Sequence, residues 1–67
     1  MRISYNKLWK MLIDKNMKKS DLKEMAGISS ASLAKLGKGD NITTDVLLRI
    51  CEVMDYRIED ILETVRD

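Results

Sequence analysis

The chain has no histidine, no proline and no phenylalanine, and only one cysteine and three glycines among its 67 residues. Each shortage removes a class of answer. Without histidine, and with Cys51 alone, neither a zinc donor set nor a disulfide can form. A nucleophile with a paired base is likewise missing, and the carboxylates fall on what reads as a solvated face, so the chain reads as a non-enzyme without cofactor or metal. No apolar run is long enough to span a bilayer, and no secretory leader is visible. A lone cysteine suits a reducing, cytoplasmic setting. On an apolar stripe it reads as a small core residue.

What remains is a chain that is 34% charged and 45% hydrophobic, the balance of a small helical domain rather than of a disordered segment. A single domain of this size buries only about 60% of its unfolded surface, so its core must be thin. The net charge is +1, but it is unevenly spread. Residues 1–39 hold nine Lys/Arg against three Asp/Glu, and residues 40–67 hold three against eight. That asymmetry describes one basic and one acidic face, and a basic face concentrates polyanions locally even on a nearly neutral protein. The same counts also fit an ordinary solvated surface whose signs have segregated.

The organising stretch is 18–39, KKSDLKEMAGISSASLAKLGKG. It reads as two short helices, about 18–26 and 30–38, joined by a tight turn. Gly27 supplies the left-handed residue of that turn, and Ser29 can cap the second helix by accepting from a free N–H. Leu22, Ala26, Ile28, Leu33 and Leu36 form an inward apolar set. Ala31, Ala34, Lys35 and Lys38 share the opposite face, with Ser30 at its N-terminal end. This face is small, polar and basic, and no acid lies between Glu24 and Asp40. Gly39 is the expected left-handed cap. Lys18 and Lys19 crowd the positive end of the earlier helix, an arrangement that costs some tenths of a kcal/mol but suits a phosphate seat. Simple solvation of both lysines is the bland alternative.

Helices this short are marginal alone and need a core from the rest of the chain. A first helix is expected from 4–6 to about 16, with Tyr5, Leu8 and Leu12 in its stripe and Met11 widening it. Trp9 and Ile13 form an adjoining strip; Trp9 reads as the edge of the core, with an interface role as the alternative. A fourth helix runs from a cap at Thr43 or Thr44 to about 54. Leu47, Ile50, Cys51 and Met54 give the clearest amphipathic repeat, broadened by Val46 and Val53. A fifth helix is expected over 58–65, with Ile58, Ile61, Leu62 and Val65 on one face. Residues 1–4 read as an extended lead, and Ile3–Tyr5 has a weak option of pairing with the last residues.

Leu22, Ala26–Gly27–Ile28–Ser29, Leu33, Leu36 and Gly39, followed by LLRICEVMD at 47–55 and IEDIL at 58–62, resemble the lambda-repressor-like (Cro/repressor, xenobiotic-response-element type) helix-turn-helix family. The small single-domain bacterial members are the most similar, and the likeness covers about 5–62. It implies an all-α, compact five-helix domain over 1–67 that binds a double-stranded DNA operator as a transcriptional regulator, with the third helix in the major groove. Carried over by position, Ser30, Ala31, Ala34 and Lys35 would meet bases. Lysine can donate to guanine, serine can bond several base edges, and alanine can touch a thymine methyl. Lys18, Lys19, Ser29, Ser32 and Lys38 would contact phosphates and orient the protein. A homodimer on DNA is implied, with two third helices one DNA turn apart.

Three positions depart from the family pattern. Lys23 stands where a small residue usually packs, Gly37 weakens the third helix by roughly 0.5–1 kcal/mol, and Arg57 is an unfavourable cap for the fifth helix. The competing reading is a protein-interaction module such as an antitoxin, because this fold also serves partner proteins.

Overall fold

The computed structural model describes residues 1–66. The elements run β1 (Arg2–Ser4), α1 (Asn6–Asp14), α2 (Lys19–Ala26), α3 (Ser30–Lys38), α4 (Thr44–Met54), α5 (Ile58–Ile61) and β2 (Glu63–Val65). Five helices enclose one core. Leu8 and Leu12 of α1, Leu22 and Ala26 of α2, Leu36 of α3, Leu47, Ile50 and Met54 of α4 and Ile61 of α5 meet there with Tyr5 and Ile28. Leu8, Leu22, Leu36, Ile50 and Ile61 are the largest fully buried side chains, each worth about 1.5–3 kcal/mol for its removal from water.

Local chemistry explains most boundaries. Gly27 and Gly39 end α2 and α3 in the left-handed region, at φ 64° and 75°. Asp55 ends α4 with φ 58°, a conformation that aspartate tolerates better than most side chains. Thr43 Oγ1 accepts the Val46 N–H at 3.4 Å at the start of α4. Neither Lys18 nor Arg57 caps through its own side chain. Instead the carboxylate three residues on accepts the cap residue's backbone N–H, Lys18 to Asp21 and Arg57 to Asp60, each at 2.9 Å. The unfavourable cap expected at Arg57 is thus offset by Asp60. The same carboxylate placement puts Asp21 where it counters the charge of Lys18 and Lys19. Lys23 is accommodated half-buried.

The fold corrects the sequence reading at its C-terminal end. α5 is one turn, because Leu62 leaves the helix for extended backbone (φ −139°, ψ 160°). Ile58, Ile61, Leu62 and Val65 therefore do not share a helix face: Ile61 is buried, Ile58 is exposed, and Val65 lies in β2. β1 and β2 pair antiparallel, with Arg2 opposite Val65, Ile3 opposite Thr64 and Ser4 opposite Glu63. The helical domain thus carries a two-stranded terminal ribbon, paired one residue earlier than the weak option placed it. Val53 and Ile13 are also exposed rather than packed. Trp9 and Val46 of the same strips do pack against the core, so each strip is buried at one end only.

Tyr5 precedes α1 and is 2% exposed, and its hydroxyl donates to the Asp40 carbonyl at 3.0 Å. Burial, and secondarily the Asp40 carboxylate, hold the phenol above its ordinary range, so it stays a donor. Cys51 packs half-buried against the core, and burial followed by the Asp60 and Glu59 charges pushes its thiol up. It is therefore a protonated packing group rather than a nucleophile. Among the described residues, no helix is long and apolar enough to cross a membrane.

Candidate nucleic-acid interface

α3 buries only Leu36, with Leu33 half-buried beside it. Fixing those two leucines inward forces the rest of the helix outward at 3.6 residues per turn. Ser30, Ala31, Ala34, Lys35 and Lys38 are all exposed. The first four are the positions expected to meet bases. They form a ridge without bulky side chains, so another large object can approach the α3 backbone closely.

The residues expected to hold phosphate divide into three places. Lys38 lies in the last turn of α3, where its charge suits the negative helix end. Lys18 and Lys19 stand at the start of α2, both exposed. Lys19 is not simply solvated. Its ammonium lies 4.5 Å from the centroid of the Trp9 ring, a cation–π geometry. Trp9 is at once the expected edge of the core and a seat for this lysine. Ser29 and Ser32 are coupled at the α3 N-terminus. Ser29 Oγ accepts the Ser32 N–H at 3.1 Å and donates to Ser32 Oγ at 3.1 Å. The cap uses a lone pair of Ser29 Oγ, and the bond to Ser32 Oγ occupies its proton, so the Ser32 hydroxyl proton is the one left for a further acceptor.

One further residue, Asn41, which the sequence reading did not single out, adjoins the ridge. A recess of 310 Å³ beside α3 is lined by Ser32, Lys35, Asn41, Ile42 and Thr43. Asn41 is exposed and offers an amide next to Lys35, whereas Thr43 spends its hydroxyl on the α4 cap. The signal that was available is the loop's position, directly after the Gly39 stop.

This geometry is a helix, a tight left-handed turn and a second helix with an uncovered basic ridge. The family model for the Cro/C1-type HTH DNA-binding domain matches residues 7–67. The chain belongs to that family. This Cro/C1-type domain is also similar to a solved structure, the transcriptional regulator VanUg in its crystal form II. The two are 50% identical, with a TM-score of 0.94, over 98% of this chain and 88% of that one. No curated protein matches it. In helix-turn-helix proteins the second helix of the pair is the one that enters the major groove.

Proposed function

We propose that the chain is a transcriptional regulator that reads duplex operator DNA as a homodimer. The observation that carries this reading is the ridge of α3, where Ser30, Ala31, Ala34, Lys35 and Lys38 all stand exposed between a serine cap and a glycine stop. Lys35 donates to guanine O6 or N7, Ser30 bonds a base edge, and Ala31 and Ala34 give the close approach that lets them do so. Lys18, Lys19, Lys38 and the Ser32 hydroxyl hold phosphates, while Ser29 acts mainly by fixing the first turn of α3. The similarity to a transcriptional regulator at 50% identity supports the regulatory role.

Selection of bound duplexes from a random pool tests this reading. The expected result is one enriched motif arranged as an inverted repeat, with half-sites about one DNA turn apart. A pool that stays random under low salt overturns it, and a single unrepeated half-site overturns the homodimer alone. A second reading, docking of a partner protein, has one observation in its favour: Ile13 and Leu48 stand 75% and 55% exposed. Salt separates the two. Binding to DNA weakens steeply as salt rises, and a hydrophobic interface does not.

A further inference from the structure

The helix that must be placed most accurately has little holding it. α3 sinks one side chain fully into the core, and its own sequence, with two serines and Gly37, favours helix weakly. A side chain that reads base edges must nevertheless sit within about 0.5 Å of its productive position. Both flanks of α3 are tied to distant parts of the fold by side-chain-to-backbone hydrogen bonds. On the N-terminal flank, Arg49 of α4 donates from Nη1 to the carbonyl of Gly27, the turn residue, at 3.2 Å. Asp45, one turn earlier on α4, holds the same guanidinium at Nε, also at 3.2 Å. On the C-terminal flank, the buried Tyr5 phenol donates to the Asp40 carbonyl across 35 residues of sequence. Asp40 in turn donates its N–H to the carbonyl of Lys35 at 3.0 Å, so the bond from Tyr5 reaches the last turn of α3.

We propose that Tyr5 and Arg49 are positioning residues for DNA reading: without facing the bases, they clamp the two ends of α3 and so set the aim of Ser30, Ala31 and Lys35. This inference rests on the DNA-binding reading above and adds the parts that orient it. Because Arg49 is half exposed, its bond is shared with water and its effect is modest. Tyr5 lies in the core and acts through a drier contact.

The test uses Tyr5→Phe, which keeps the ring, and Arg49→Gln, which changes a half-exposed side chain and leaves the core untouched. In the free proteins, amide hydrogen exchange is expected to accelerate about three- to tenfold at Gly39 and Asp40 in Tyr5→Phe. The same acceleration is expected at residues 27–29 in Arg49→Gln, with α1 and α4 unchanged in both. On DNA, affinity for the selected site should fall about three- to tenfold while affinity for random duplex and the salt slope hold. Arg49→Lys, which keeps a donor on a long stem, should recover part of the loss. Unchanged exchange at both flanks overturns the proposal, and so does an equal loss on selected and random duplex, which would make Arg49 a phosphate contact. If Tyr5→Phe fails to fold, Arg49→Gln alone decides. Exchange is read without DNA, so failure of the clamps and failure of the DNA-binding reading are seen separately.

Discussion

α3 and α4 are built by the same local rules and used in opposite ways. Each starts from a hydroxyl cap, Ser29 and Thr43, that accepts the N–H three residues on, and each ends on a left-handed residue, Gly39 and Asp55. They differ in what covers them. α4 buries Leu47, Ile50 and Met54, whereas α3 buries Leu36 alone. Equal capping with unequal burial shows that capping sets where a helix begins and ends, while burial decides whether it serves as scaffold or as display. α4 is scaffold. α3 is display, and its aim depends on bonds from outside it.

Substitutions that separate the two helices sharpen this contrast. Ile50→Ala, at a side chain with no exposure, should cost about 2–5 kcal/mol in a urea titration. That is a large share of the roughly 3–10 kcal/mol available to a chain this short. Lys35→Ala should leave the urea midpoint in place but cost about 1–3 kcal/mol on the selected duplex and relax the preference at one base pair. A shifted midpoint with unchanged selectivity would reverse the roles assigned to the two helices. Lys19→Ala should weaken every duplex alike, lowering the slope of log K against log salt by about 1; a loss confined to one sequence would move Lys19 from backbone to base contact. The smallest effect is expected at Gly37. A methyl group there meets nothing within 4 Å and the backbone is not left-handed, so Gly37→Ala should raise stability by about 0.5–1 kcal/mol. Its measurement is the same urea midpoint.

The contrast between helices was largely legible in the sequence. Both glycine stops, both hydroxyl caps and the stripe of α4 are short-range signals, and each lies within a residue or so of its expected place. The ridge was legible because Leu33 and Leu36 define which side of a nine-residue helix is left over. The C-terminal end was not. Ile58, Ile61, Leu62 and Val65 have helical spacing, but the same residues also fit one helical turn followed by a strand. A three-residue strand has no periodicity to betray it, and the partner of β2 lies at the other end of the chain. Arg57 does stand at the cap of α5 without a capping side chain, as expected; what went unseen is that Asp60, three residues on, accepts the Arg57 N–H. The stacking of Lys19 on Trp9, and the bonds from Tyr5 to Asp40 and from Arg49 to Gly27, link residues that only the tertiary fold brings together.

The charge halves gain a structural meaning from the same comparison. The basic residues of the first half include those flanking α2 and α3, while Glu52, Asp55, Glu59 and Glu63 are exposed on and around α4, α5 and β2. Lys7 Nζ donates to the Glu59 carbonyl at 3.1 Å, so α1 carries part of the basic half up to the acidic end. The stretch free of acids, between Glu24 and Asp40, covers all of α3, and there the local field favours a polyanion.

The most direct measurement is an amide chemical-shift titration of the protein with the selected duplex. The largest shifts are expected at Ser30, Ala31, Ala34 and Lys35, smaller ones at Lys18, Lys19 and Lys38, and none at Glu59 or Glu63. Shifts concentrated on α5 and β2, with α3 unmoved, would contradict the DNA-binding reading.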